Sequence, residues 1–140
     1  KNGEGCCSVM EDAFKIEIIS PEMIIFSDNT KSAQIPSYEG DMCILNSHIS
    51  IIAFLRPGLV KVKKNDTEFE EFFVQDGTVE FSNNNLVLLS SSVKNLKNLS
   101  KEFVDNLRAE TENKLDNKNI EDQDRYILNH KLDVLKEIRI

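Results

Sequence analysis

The feature that most constrains this chain is a change of sequence pattern near residue 90. Before it, short apolar runs alternate with Gly, Pro, Asn and Asp, a pattern typical of strands joined by tight turns. After it, neither Gly nor Pro occurs, and apolar residues recur at the three- and four-residue spacing of amphipathic helices. The chain of 140 residues is therefore predicted to hold a β-rich domain over residues 13–90 and a helical domain over residues 91–140.

The β-rich part contains nine or so short candidate strands. Phe14–Ser20 alternates apolar and charged side chains with a period of two, as a half-buried strand does. Ile49–Leu55 is a nearly continuous apolar run, which predicts a strand buried on both faces. Turn-forming residues separate the runs at positions 27–30, 57–58, 65–66, 76–77 and 83–85. Short strands with such frequent turns predict an antiparallel β-sandwich or barrel.

The helical part predicts two helices. Ser90–Ser92 offer N-cap hydroxyls for the first helix, and Asn119 followed by Asp122 resembles a weakened capping box for the second. The polar stretch 116–119 separates two apolar stripes. The stripes comprise Val93, Leu96, Leu99, Phe103, Val104 and Leu107 on the first helix, and Ile127, Leu128, Val134, Leu135 and Ile138 on the second. Two such helices joined by a short loop predict an antiparallel hairpin.

The charge balance excludes several classes of partner. The chain has 24 acidic and 17 basic residues, a formal net charge of −7, so it lacks the basic footprint that nucleic acids and anionic lipids require. No apolar run approaches the roughly 20 residues of a membrane helix. The five glycines are scattered and no Gly-Lys-Ser/Thr sequence occurs, so no phosphate-binding loop is predicted.

The three cysteines, Cys6, Cys7 and Cys43, indicate a reducing compartment, because an odd number without regular spacing does not form a disulfide framework. Cys43 lies among apolar residues and is predicted to be a buried small hydrophobe. Residues before Met10 form no recognisable pattern, and Met10 is typical of a native start. Residues 1–12 are therefore interpreted as an extension or a cloning remnant.

Catalysis has little support in the sequence. His48 and His130 lie in different parts of the chain, and nothing resembles a nucleophile elbow or a metal-binding motif. Two alternatives remain from the residues alone. One is a stand-alone β-sandwich that binds a small ligand, with the hairpin as a lid. The other is an enzyme built on the sandwich, with His48 as a base.

The strand region carries a family resemblance. Residues 35–48 read Ile-Pro-Ser-Tyr-Glu-Gly-Asp-Met-Cys-Ile-Leu-Asn-Ser-His, followed by an apolar run and then by residues 56–58, Arg-Pro-Gly. This order resembles the Val-Pro-Gly-x-x-Gly-x-x-Gly-Val-Leu-Pro-x-His pattern and the Leu-x-Pro-Gly turn of the epsilon subunit of F-type ATP synthases. Residues 73–80 resemble the family's Val-x-Gly-Gly-x-x-Glu turn, and residues 104–109 resemble its Leu/Ile-Asp-x-x-Arg-Ala motif. The chain departs from the family at Ser37, Cys43, Asn46 and Asp76.

The resemblance covers roughly residues 13–138 and implies a sandwich of about ten antiparallel strands followed by a helical hairpin. It implies a non-catalytic rotor subunit of the proton-translocating synthase, peripheral on the cytoplasmic side of the bacterial inner membrane; a plastid source is the alternative. The implied partners are the gamma subunit and the c-ring, with the alpha and beta subunits reached through the hairpin. No nucleic acid and no direct membrane insertion are implied.

The resemblance also implies a contact site. Gly40, Asp41 and Met42 would lie on a loop at one end of the sandwich that faces the polar loops of the c-ring. The Asp41 carboxylate can pair with Arg or Gln, and Met42 adds apolar area. His48, in the same segment, would lie near the gamma or c-ring contact. The plain alternatives are a solvated turn carboxylate for Asp41 and a polar turn residue for His48.

A nucleotide site is implied on the first helix. Asp105 and Arg108 are three residues apart and so share a helix face, where the plain alternative is an exposed ion pair. Some family members bind ATP at this motif. By resemblance, Arg108 would be a phosphate ligand here, and Asp105 would orient its guanidinium. Ala109 would leave room for the nucleotide, and Arg125 would add positive charge. ATP would be a regulatory ligand, and no cofactor is required. Residues 120–140 carry four basic and five acidic side chains, so inhibition through a basic helix end is predicted to be weak.

Overall fold

The computed structural model describes residues 13–65 and 67–138, and it contains ten strands, a 3₁₀ turn over Leu96–Asn98 and two helices. The predicted extension over residues 1–12 lies outside the described residues. The strands are β1 Phe14–Ile19, β2 Ile24–Thr30, β3 Ser32–Ser37, β4 Gly40–Leu45, β5 Ile51–Phe54, β6 Gly58–Lys63, β7 Phe69–Val74, β8 Thr78–Ser82, β9 Asn85–Leu89 and β10 Val93–Asn95. The helices are α1 Lys101–Leu115 and α2 Asp122–Glu137.

The strands form two five-stranded sheets that face each other as a sandwich. The first sheet has the order β2-β1-β9-β8-β5, and the second has the order β10-β7-β6-β3-β4. All neighbouring strands are antiparallel except β1 and β9, which are parallel. The inward residues of both sheets form the core; on β1 these are Phe14, Ile16 and Ile18, as the period of two predicted. The predicted fold class, a β-sandwich followed by a helical hairpin, is confirmed.

Two strand predictions are wrong. Ile49–Leu55 is not buried on both faces, because β5 is the edge strand of the first sheet and its outer face is open; Ile52 is 71% exposed. The predicted turn at residues 27–30 lies within β2, where register pairing with β1 continues to Thr30. Thr30 is buried and donates a hydrogen bond to the Lys63 carbonyl oxygen at 2.6 Å, which favours the extended strand over the turn.

The first helix begins later than predicted. Val93 pairs with Val74 as part of β10, so the second sheet continues beyond residue 90 and Ser90–Ser92 cap no helix. The N-cap is Ser100, whose hydroxyl accepts a hydrogen bond from the Phe103 N–H at 3.1 Å. The predicted capping box of the second helix is also wrong: α2 has Glu121 as its N-cap, and no side-chain hydrogen bond closes it.

The hairpin packs on the outer face of the second sheet. Phe73 of β7 forms a buried cluster with Leu99, Val104, Leu135 and Ile138, and Leu59 of β6 packs at its edge. The cluster lies outside the sandwich core, which consists of strand residues and Leu55. Neither described helix combines the length and apolarity needed to span a membrane.

Because the two clusters are separate, we expect the sandwich to fold without the hairpin. A chain that ends at Asn98 keeps β10 and the whole sandwich core, and loses only the helical cover of Phe73 and Leu59. Urea unfolding of this truncated chain, followed by circular dichroism of the β signal, should remain a single cooperative transition. A broad, non-cooperative transition would show instead that the hairpin completes the main core.

Candidate functional site

The sandwich has two turn ends, and the residues predicted to contact the c-ring and gamma lie at both of them. The Tyr38 end comprises the turns at residues 38–39, 55–57 and 75–77, which backbone hydrogen bonds join, for example from the Leu55 N–H to the Gly77 carbonyl oxygen at 2.8 Å. The His48 end comprises the turns at residues 46–50 and 83–84, joined by the Ser47 N–H and the Asn84 side-chain oxygen at 2.8 Å.

The prediction of a loop over Gly40, Asp41 and Met42 is wrong. These residues form the first half of β4 at the Tyr38 end. The preceding turn is closed by Ser37, whose buried hydroxyl donates to the Gly40 carbonyl oxygen at 2.6 Å and accepts from the Glu39 N–H. This bonding explains how serine replaces a family glycine here, since only Gly40 in the turn has positive φ, at 120°. Met42 packs against the core, whereas Asp41 points outward.

Asp41 forms an ion pair with Arg56. The Arg56 Nη2 atom lies 3.2 Å from the Asp41 Oδ1 atom, and the Asp41 side chain remains 56% exposed. The guanidinium also donates from Nη1 to the Tyr126 hydroxyl of α2 at 3.5 Å. A cleft of about 290 Å³ separates the second sheet from α2 at this point, and Asp41, Arg56 and His130 line it. Sequence reasoning missed Arg56, which follows the apolar run of β5.

His48 lies at the opposite end of β4 from Asp41, so the structure does not bring these two residues together. Its ring meets the Phe81 ring edge to face at 5.9 Å, and its Nδ1 atom lies 2.7 Å from the Ile49 carbonyl oxygen. These contacts close the end of the core above Phe81, which gives His48 a structural role. Its role at a gamma contact stays a prediction.

The four residues of the predicted nucleotide site lie on both helices. Asp105 and Ala109 are exposed on α1 and Arg108 is half-buried, and within the described residues no ion pair joins Asp105 to Arg108. Arg125 of α2 instead donates to the Leu115 carbonyl oxygen at 3.5 Å. A cation there interacts favourably with the unpaired carbonyls at the end of α1, so Arg125 has a structural function of its own.

Lys131 is a buried cation on the apolar stripe of α2, since it lies four residues after Ile127 and four before Leu135. Lys131 is only 9% exposed, and in the described part of the chain no carboxylate lies within 4 Å of its nitrogen. Burial lowers the pKa of Lys131, and Lys114 nearby lowers it further, whereas Glu110 and Asp76 act in the opposite direction. The hairpin therefore holds a positive charge that its surroundings only partly compensate.

The outer face of the first sheet carries an uncovered, mainly apolar row at one end. Register pairing places one residue from each of its five strands in a single row, and this apolar row comprises Phe54, Thr78, Leu89, Ile19 and Ile24. Phe54 is 64% exposed, and Ile52 stands beside it on β5. A shallow depression of about 610 Å³ lies along the row. Exposed apolar patches of this kind mark contacts with other proteins.

One further expectation concerns a single side chain. Cys43 is exposed on the outer face of the second sheet, so its prediction as a buried hydrophobe is wrong; β4 directs it away from the core. No group of three or more His, Cys, Asp or Glu side chains among the residues described is arranged to hold a metal ion.

Comparisons with known proteins match this architecture. The family model for the β-sandwich domain of the ATP synthase delta/epsilon chain matches residues 13–95, the whole of the sandwich. The ATP synthase epsilon chain of Pelagibacter ubique is 42% identical over 130 residues, which cover 92% of this chain and 99% of that protein. The epsilon chain of Parvibaculum lavamentivorans is 31% identical over 93% of this chain and 98% of its own length.

Two solved structures share the fold at low sequence identity. A chain of the Euglena gracilis mitochondrial ATP synthase, in a structure of OSCP, F1 and c-ring, has a TM-score of 0.67 at 15% identity and covers 86% of this chain and 76% of its own. A chain of the Tetrahymena thermophila mitochondrial ATP synthase, in a structure of the central stalk and c-ring, has a TM-score of 0.59 at 14% identity, covering 88% and 93%.

The sandwich thus defines a delta/epsilon-type subunit of a rotary ATP synthase. With the relatives that span both the sandwich and the hairpin, the chain belongs to the family of ATP synthase epsilon chains. It is a regulatory and structural subunit of the enzyme complex rather than a catalytic one. A stand-alone ligand-binding protein is not favoured, because the relatives match over nearly their whole length.

Proposed function

We propose that this subunit is a rotor component of the central stalk that joins gamma to the c-ring, and that the outer face of the first sheet is its surface for gamma. The observation that carries the proposal is the apolar row across that sheet. In the described chain the hairpin covers part of the second sheet, and no helix covers the outer face of the first sheet. A subunit that transmits torque needs a large, well-packed contact, which an apolar sheet face can supply.

The c-ring contact is proposed for the Tyr38 end. Asp41 is the charged side chain of β4 at this end, and it stays largely exposed although it pairs with Arg56. A carboxylate at a solvent-facing edge can exchange its partner for an Arg, Lys or Gln side chain of another subunit. Gly40 would contribute backbone beside it, whereas Met42 supports the strand from the core side. Contacts with the alpha and beta subunits would be made by the hairpin.

The location follows from these contacts. A subunit held between gamma and the c-ring lies at the membrane surface without entering the bilayer, and in a bacterium this is the cytoplasmic face of the inner membrane. The test of the main proposal is binding of the intact subunit to the gamma subunit of the same synthase. Binding at micromolar concentration or below is expected, and no binding by the folded chain at that concentration would contradict the proposal.

We also propose ATP as a weak regulatory ligand of the hairpin. Arg108 is half-buried on α1, and its planar guanidinium suits a phosphate group. Arg125 is already used by the Leu115 carbonyl oxygen, and the other nearby cations, Lys114 and Lys131, are lysines. With one well-placed arginine, the differential affinity for the packed hairpin is expected to be small.

Hydrogen exchange of α1 and α2 with and without millimolar ATP tests this site. We expect ATP to slow exchange by about twofold, because a ligand shifts an equilibrium only by its differential affinity. Arg108→Ala should abolish the slowing, Arg125→Ala should reduce it less, and the exposed Lys101→Ala should leave it unchanged. Slowing that survives Arg108→Ala would contradict the proposed site.

A further inference from the structure

Arg56 contacts the sandwich and the hairpin at the same time. One nitrogen of its guanidinium faces Asp41 on β4 at 3.2 Å, and another faces the Tyr126 hydroxyl on α2 at 3.5 Å. Asp41 and Tyr126 do not share an element, and 85 residues separate them in the chain. The guanidinium is planar and rigid, so a carboxylate that fixes one edge of it also orients the other edge.

The surroundings hold this bridge in place. The Arg56 side chain is 19% exposed, so its orientation is restricted by the turn and by α2. On the hairpin side, the Tyr126 ring packs against the His130 ring at 4.4 Å between centroids. Tyr38, at the same end, has a raised pKa because burial disfavours its phenolate and the Asp76 charge lies near, with a smaller effect from Tyr126. The hydrogen bond from Arg56 places the Tyr126 hydroxyl at the contact between the sandwich and the hairpin.

We propose that Arg56 couples hairpin docking to the availability of Asp41, so that a partner which takes Asp41 loosens the hairpin. This rests on the proposed c-ring contact of Asp41. When a cationic or amide side chain of the partner pairs with Asp41, Arg56 loses the carboxylate that orients it toward Tyr126. Coupling between two binding events is reciprocal, so release of the hairpin strengthens binding at Asp41. The fold thereby links the rotor contact to the position of its regulatory helices.

A double-mutant cycle on the isolated full-length chain tests the coupling without any partner. The readout is the amide hydrogen exchange of α2, which reports how often the hairpin opens. Asp41→Asn and Tyr126→Phe are each expected to raise the opening equilibrium by about threefold, the usual size of one hydrogen bond in a partly exposed site. The double variant should open no more than the stronger single variant, because both substitutions remove the same arginine bridge.

The control is Asp28→Asn. Asp28 forms a comparable ion pair with Lys64 at 3.0 Å, on strand and turn residues remote from Tyr126. Its substitution should therefore leave the amide exchange of α2 unchanged. In an Arg56→Ala background, neither Asp41→Asn nor Tyr126→Phe should have a further effect. Multiplicative effects of about ninefold in the double variant, or no effect of either single variant, would overturn the coupling.

A second measurement separates this inference from the proposed function. Binding of the c-ring to wild-type and Tyr126→Phe chains should be about threefold tighter for the variant, by reciprocity. If the cycle shows coupling but the c-ring binds neither chain, the c-ring contact of Asp41 is wrong while the arginine bridge stands. If the c-ring binds both equally and the cycle is multiplicative, the contact stands and the coupling is wrong.

Discussion

Replacing Gly77 by alanine is expected to destabilise the sandwich more than an added methyl group at any other turn glycine of the described chain. Gly77 has φ of 135°, and a Cβ atom there would collide with the Leu89 carbonyl oxygen of β9. Backbone on both sides must move, because Leu89 pairs with Ile19 and Thr78 in the middle of the first sheet. We expect a loss of about 3–5 kcal/mol in the free energy of unfolding, in the range of severe point mutations.

Gly40→Ala is the matched control for this change. Gly40 has a similar φ of 120°, but nothing lies within 4 Å of the position of an added Cβ. Its substitution therefore carries only the conformational cost, about 1 kcal/mol. Urea unfolding of both variants separates strain from collision. Equal losses in the free energy of unfolding for the two variants would contradict this expectation. They would show that a glycine is needed at residue 77 only for its positive φ, and that the close packing of the turn against β9 does not matter.

The sequence predicted this turn because its signal is local. Asp76-Gly77 is a tight-turn pair, and the positive φ falls on Gly77, where no side chain opposes it. The departures from the family behave differently. Positive φ falls on Ser47 rather than on Asn46, and neither Ser37 nor Cys43 has it, so neither replacement of a family glycine strains the backbone.

Other features depend on partners that a local pattern does not contain. The apolar run of β5 predicted complete burial, but an apolar run is equally suited to a strand whose outer face meets another protein. Val93 fits the helical spacing, yet pairing with Val74 on β7 places it in the sheet. Ser100 provides the N-cap that was predicted eight to ten residues earlier, at Ser90–Ser92, because serines at both places satisfy the same local rule.

The candidate site was predictable to different extents. The segment that holds Asp41 was found through the family pattern, but its ion pair with Arg56 was not, since the two residues meet only when β3, β4 and the β5–β6 turn assemble. Tyr126 comes from the other end of the chain. The burial of Lys131 was also missed, because a lysine on a helix usually marks a solvated face. Its spacing of four residues from both Ile127 and Leu135 was the signal that places it on the apolar stripe.

The apolar row on the first sheet gives the second large effect, on assembly. Ile52→Asp and Phe54→Asp place a charge on the face proposed for gamma, where burial of an unpaired carboxylate is unfavourable. Since both side chains are at least 64% exposed, the isolated chain should fold normally. We expect each variant to weaken gamma binding by about 100-fold, the scale of a central interface residue. Phe69→Asp is the matched control, because Phe69 is 59% exposed but lies on β7 of the second sheet.

The central claim is therefore tested most directly by titrating purified gamma against wild-type, Phe54→Asp and Phe69→Asp chains and measuring the dissociation constant of each. Circular dichroism should first show that all three chains are equally folded. We expect tight binding by the wild type and Phe69→Asp, with a loss of about 100-fold for Phe54→Asp. Equal affinities for Phe54→Asp and the wild type, or a selective loss in Phe69→Asp, would contradict it.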